Sequence, residues 1–212
     1  MQENRIKRNK MLGEHIIKNL NGRHMEGYYT ESKEEALKKA LELIPTGSSV
    51  GWGGSMSAEA IGLIDAVKTG DYRAIDRKSG KDAEDKRRLQ LEVLGSDYFI
   101  CSSNAITEDG ELVNIDGMGN RVAAIVYGPR NVIMIVGMNK VVATLDDAMS
   151  RARNIAAPLN ANRFNIDTPC TKTGVCHDCL SIQSVCSQFL ITRCVQQKGR
   201  IKVILVDEDL GL

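Results

Sequence analysis

What this 212-residue sequence leaves out closes off several classes of function. It contains no run of about 18 or more apolar residues, the length a membrane-spanning helix needs. Its opening stretch, MQENRIKRNK, is basic, but no apolar stretch follows, so it does not read as a secretory signal. Net charge is only +1, which leaves no overall field to draw nucleic acid or an anionic membrane surface. The rest of the composition, 42% hydrophobic and 26% charged, is that of a soluble globular protein. The length suffices for one α/β domain with a sizeable core. These features point to the cytoplasm. In that reducing compartment the six cysteines are expected as thiols or metal ligands rather than disulfides.

Residues 3–20 carry Ile6, Leu12, Ile16, Ile17 and Leu20 at helical spacing between charged residues, which predicts an amphipathic helix ending at Asn21-Gly22. Its apolar face would cover either the domain or a second subunit, as in a homodimer. Tyr28-Tyr29 reads as a link. Ser32 with Glu35 fits a capping box, so a second helix is expected up to Ile44, broken by Pro45-Thr46-Gly47. Residues 1–45 thus read as an N-terminal helical extension and 46–212 as the α/β domain. Beyond 46, a short strand enters the glycine-rich turn Gly53-Gly54-Ser55, and Met56–Val67 reads as one helix whose start could hold an anion. The spacing is neither the dinucleotide fingerprint nor the P-loop. Tyr72–Ile75 could be a strand. The charge-dense residues 76–88 read as a solvated loop leading into a helix through Leu94. Val132–Val136 is continuously apolar, as in a strand of a parallel sheet buried on both faces. Asn139 and Lys140 follow it, where open α/β sheets gather ligands, and Lys140 suits an anion or a salt bridge. Thr144 and Asp147 predict the start of a helix reaching Ile155, with Arg151 and Arg153 as surface charge. Residues 201–206 close the chain as a strand.

The most informative stretch is Ser102–Arg121, SSNAITEDGELVNIDGMGNR. It follows the apolar run Tyr98–Cys101 and reads as a polar loop of the kind that carries sites. Glu108, Glu111 and Asp116 are the candidates for acid, base or nucleophile. Asn104, Asn120 and Arg121 are candidates for holding a ligand. The alternative is a solvated hairpin turning at Asp109-Gly110. A second cluster lies at 170–194. Cys170, Cys176, Cys179 and Cys186 follow C-x5-C-x2-C-x6-C, with His177 inside. Only Cys176 and Cys179 have the close spacing of zinc and iron–sulfur sites, so an iron–sulfur cluster, zinc and plain reduced thiols all stay open. Cys101 and Cys194 read as core residues.

SSNAITEDGELVNIDGMGNRVAAIVYGP resembles the signature of the LUD domain, named for lactate utilisation. VGWGGSMSAEAIGLIDAV, VIMIVGMNKVV, RARNIAAPLNANRF and PCTKTGVCHDCLSIQSVC extend the resemblance over roughly Thr46 to Leu212. Some members carry Arg-Ile-Cys where Ser184-Val185-Cys186 stands here. The resemblance implies a mostly parallel sheet with helices on both faces, in the fold group of sugar-phosphate isomerases and coenzyme A transferases. It also implies a setting beside iron–sulfur oxidoreductase subunits that convert lactate to pyruvate. Two functional readings follow. One is an accessory, electron-transfer or regulatory component of lactate oxidation. The other is a small-molecule enzyme of the acyl-transferase or sugar-phosphate isomerase type, in which a loop glutamate acts and Gly53-Gly54-Ser55 holds an anionic substrate. A binding module without chemistry would need only the pocket.

Overall fold

The structure is a computed structural model that describes residues 2–212. The chain starts with α1 (Gln2–Gly22), β1 (Glu26–Thr30), α2 (Lys33–Leu43) and β2 (Ser49–Trp52). Two short helices follow, α3 (Met56–Ala60) and α4 (Leu63–Thr69). β3 (Arg73–Ile75), a 3-10 turn at Arg77–Ser79 and α5 (Ala83–Leu94) lead to β4 (Tyr98–Cys101). β5 (Ala105–Thr107) and β6 (Leu112–Asp116) form a hairpin, and α6 (Asn120–Val126) precedes β7 (Asn131–Gly137). A 3-10 turn at Met138–Lys140 leads into β8 (Val141–Val142). α7 (Leu145–Arg151) passes through a π-helical turn at Ala152–Ala156 into α8 (Ala157–Arg163). α9 (Pro169–Thr173), β9 (Gln188–Thr192) and β10 (Ile201–Val206) complete the order.

The main sheet has six strands in the order β1-β10-β7-β4-β2-β3, and every neighbouring pair is parallel. Side chains of its central strands alternate between two cores. Val132, Met134 and Val136 of β7 join Phe99 and Cys101 of β4 on one face, against Ile16 and Leu20 of α1, Val93 of α5 and Ile125 of α6. Ile133, Ile135, Ile100 and Ile204 join the other face, against α2, α3 and α4 through Ala36, Ala40, Ala58 and Leu63. That two-sided burial is why β7 reads as an unbroken apolar run from Val132 to Val136, and β10 as one from Val203 to Val206 after Lys202. Each Val, Leu, Ile, Met or Phe among them, taken fully out of water, contributes roughly 1.5–3 kcal/mol. The expected parallel sheet with helices on both faces is therefore what forms.

Several expectations need correction. Residues 26–30 are a strand, not a link, and β1 pairs with β10 from Glu26↔Lys202 to Thr30↔Val206. The boundary at residue 45 therefore does not separate an extension from the sheet, and α1 contributes to the main core. Met56–Val67 is two helices, because Gly62 takes a left-handed conformation (φ +77°) between α3 and α4. The central loop is a hairpin. β5 and β6 pair antiparallel within a second sheet of order β8-β5-β6-β9. That sheet packs Ala105, Val113 and Ile115 on Ala148, Ala152 and Ala157. The helix over α7 and α8 continues past Pro158, with the π-helical turn just ahead of it. Such a turn accommodates the missing N–H of proline. Among the described residues, no helix is long and apolar enough to cross a membrane.

Candidate functional site

A cavity of about 670 Å³ opens beyond the C-terminal ends of β2, β4 and β7. This is the place where parallel sheets collect ligands, because the connections diverge there. The glycine turn after β2, the residues after β4 and the 3-10 turn after β7 each supply part of the wall. Gly54, Ser55, Asn104, Asp116, Asn120, Arg121 and Lys140, all expected at a site from sequence, share that wall.

Lys140 is the floor. Its side chain is buried, with 3% of the residue exposed. Nζ donates to Ser57 Oγ at 3.1 Å and to Ser102 Oγ at 3.0 Å. It has no carboxylate partner among the described residues. Burial first, then the nearby Arg151 and Arg121 guanidinium groups, push its pKa down to about 7. Of the two sequence alternatives for Lys140, anion ligand or salt bridge, the second is absent.

Arg121 lines the cavity, but its guanidinium is occupied. Nη1 donates to Ser102 O and Asn114 Oδ1, at 2.9 and 2.7 Å. Nη2 donates to Asn104 Oδ1 and Ile115 O, at 2.8 and 2.6 Å. It therefore ties the hairpin to the loop after β4. Asp116 is also committed, since Oδ2 accepts from the Arg121 and Val122 backbone N–H groups at the start of α6. Ser55 Oγ accepts from Ala58 N–H, which makes it the cap of α3. That bond and the brevity of α3 remove the expected anion site at the helix start.

The free cations come from elsewhere. A Cβ on Gly54 would stand 3.3 Å from Nη2 of Arg163 and 3.5 Å from Nη2 of Arg77. The missing side chain is what admits two guanidinium groups to this wall. Among the described residues, neither has a carboxylate within ion-pair distance. Burial, opposed by Glu59 and reinforced by Arg77, holds the Arg163 guanidinium below its usual range. Sequence reading missed both. Arg77 sits in a charge run that looks solvated, and no spacing marks Arg163 as turning inward.

Other expected residues lie away from the cavity. Glu108 and Glu111 flank the hairpin turn at the far end, against α1. Asn19 Nδ2 donates to Glu108 O at 2.9 Å, and Glu111 pairs with Arg23 at 3.6 Å. As catalytic candidates they are corrected: they serve to dock the turn on α1. Gly53 extends the sheet through its N–H to Ile100 O and lies under Arg121 rather than in the cavity. Asn139 accepts from Leu210 N–H and so pins the chain end, not a ligand. Arg151, expected on the surface, is buried; Nε donates to Asn139 O at 3.1 Å and Nη1 to Asn104 O.

Cys170, Cys176, Cys179 and Cys186 are half-buried free thiols that line one smaller cavity of about 320 Å³. Cys194, expected in the core, is exposed, whereas Cys101 is buried and its thiol is pushed up to about 12 by burial. Among the described residues, no three His, Cys, Asp or Glu side chains gather closely enough to hold a metal ion. As arranged, the thiols do not fit zinc or a cluster. Ser184 and Ser187 line both cavities, so the cysteine segment is the partition between them.

The LUD domain profile matches residues 13–206. A solved structure of a DUF162 family protein from Deinococcus radiodurans is similar over 93% of this chain and 97% of its own, at 13% identity and a TM-score of 0.53. Ribose 5-phosphate isomerase A from Neisseria gonorrhoeae aligns over 53% of this chain and 54% of its own, at 21% identity and a TM-score of 0.34. The ribose 5-phosphate isomerase of Methanocaldococcus jannaschii covers 61% and 66%, at 16% identity and 0.36. No curated protein matches the chain.

Proposed function

The chain belongs to the LUD domain family, and from that premise we propose that it binds a small organic anion in the cavity at the strand ends, within lactate utilisation. One observation carries this reading: among the described residues, Arg77 and Arg163 stand together over Gly54 without a carboxylate side chain at ion-pair distance, facing a cavity whose one acidic side chain, Asp116, is already engaged. Two guanidinium groups held together in this way repel each other until an anion arrives, and they suit a carboxylate or phosphate bidentately. Lys140 lines the same cavity as a further donor. The cavity is large enough for a metabolite-sized ligand. The version of this reading in which Glu108 or Glu111 attacks the substrate is not retained, because both belong to the hairpin turn on α1.

Thermal unfolding with L-lactate, pyruvate, ribose 5-phosphate and inorganic phosphate tests the proposal. A ligand at about 100 times its Kd stabilises the folded state by about 2.7 kcal/mol. The expected result is a rise in Tm with at least one of these anions, strongly reduced in the Arg77→Ala, Arg163→Ala double variant. No rise with any of them at millimolar concentration contradicts it.

A second reading, an accessory or electron-transfer component working with iron–sulfur oxidoreductase subunits, is favoured by the four cysteines that share one cavity. Since these thiols do not enclose an ion as they stand, no chemical step is assigned to a metal. Iron and sulfide assays on anaerobically purified protein test it. Absence of both, with no such subunit retained in a pull-down, removes it.

A further inference from the structure

We propose that Lys140 is a nucleophilic amine that condenses with the carbonyl carbon of a small anionic aldehyde or 2-oxo acid bound in this cavity. The inference rests on the anion-binding reading above and names the substrate class for the same site.

Geometry carries it first. Lys140 Nζ is at the cavity wall, and its hydrogen-bond partners are two hydroxyl groups, Ser57 Oγ and Ser102 Oγ. A buried lysine that stays charged is ordinarily paired with a carboxylate; this one has two hydroxyl groups, which can either donate or accept a proton. Residue 211 is glycine, and a Cβ there would stand 2.6 Å from Ser57 Oγ and 3.3 Å from Nζ, so the missing side chain leaves room beside the amine and its hydroxyl partner. The groups facing the amine are Arg121 from α6, Arg151 from α7 and the buried, neutral Cys101 thiol of β4. Two cations, with no carboxylate at ion-pair distance among the described residues, favour the uncharged amine, which is the nucleophilic form. The guanidinium pair at Gly54 supplies the other half of the recognition, holding the anionic group of a molecule whose carbonyl points to the floor.

The step balances without an oxidant. The Nζ lone pair attacks the carbonyl carbon, and the carbonyl π electrons move to oxygen. A proton passes from nitrogen to that oxygen, with Ser57 and Ser102 within reach of Nζ to relay it. Loss of the oxygen as water leaves a carbon–nitrogen double bond, and one proton from solvent makes it the iminium. That iminium withdraws electrons from the neighbouring carbon, so the class of reaction it opens is bond breaking or proton loss next to the former carbonyl.

Reductive trapping tests the inference. The wild-type chain is incubated at pH 7 with pyruvate or with glyceraldehyde 3-phosphate, plus sodium cyanoborohydride, and then mapped by peptide mass spectrometry. The expected result is a single secondary-amine adduct on Lys140 with at least one of the two, formed at least about tenfold faster than at any exposed lysine. Inorganic phosphate should slow it, and Lys140→Arg should abolish it. If that variant does not fold, the wild-type map decides alone. Labelling of Lys140 no faster than of surface lysines overturns the inference. A Tm rise with either probe but no Lys140 adduct overturns it while leaving the anion-binding reading intact. Neither shift nor adduct, together with no rise from the other anions, overturns both.

Discussion

Lys140 sits among hydroxyls and guanidinium groups, and this makes the stability of the chain depend on pH in a defined sense. Its pKa in the folded chain is about 7, below the ordinary lysine value of about 10.4. As pH falls, the unfolded chain takes up this proton first. Stability from this group is therefore full above about pH 10, falls down to about pH 7, and is level below. Lys140→Met removes the desolvated amine. It should stabilise the chain by an amount on the order of a few kcal/mol at pH 7 and by almost nothing near pH 11, read from urea midpoints at both pH values. Glu111 makes the opposite kind of case. Its pairing with Arg23 at 3.6 Å is partly exposed and far from the cavity, so Glu111→Gln should cost no more than about 1 kcal/mol and leave any ligand-induced Tm rise unchanged. Lys140 was legible in the sequence because it follows the most apolar strand, where sites collect. Glu108 and Glu111 misled because a polar stretch does not announce which end of it is wet. From Glu111 to Asp116 the chain runs roughly 17 Å, which carries one end to the cavity and the other to α1.

The hairpin β5-β6 is the element that joins the site to the N-terminal helix. Its turn is fixed at Gly110, where φ is +84° and a Cβ would lie 3.0 Å from the Leu20 backbone nitrogen. Both the conformation and the close approach require glycine. Gly110→Ala should therefore destabilise by about 2 kcal/mol or more and lift the turn off α1, seen as a lower urea midpoint and faster amide exchange at Thr107 and Glu111. The buried runs that became β4, β7 and β10 were readable because each is apolar on both faces. β1 was not, since Glu26-Gly27-Tyr28-Tyr29-Thr30 has four half-buried residues in five and carries no alternation. What defines it as a strand is a parallel partner far along the chain, and Gly27, where a Cβ would stand 2.8 Å from Ile17 Cδ1 of α1.

Taken as a whole, the molecule is one parallel sheet whose diverging connections make the cavity, with the smaller sheet and the cysteine segment forming one side of it. Single strands and helices could be read from periodicity, and the fold group came with the family, from local wording. The guanidinium pair could not, because Arg77 and Arg163 meet only after the sheet has brought the turn after β3 and the end of α8 to the same glycine. The topology also has a consequence for synthesis. Among the described residues β1 has a single sheet neighbour, β10, and Thr30 faces Val206, 176 positions later. At a translation rate of about 5–20 residues per second, β1 waits roughly 9–35 s for its partner to be made. During that interval α1 can settle on the hairpin turn and β7, while β1 stays a nascent strand without its sheet partner and open to ribosome-associated chaperones.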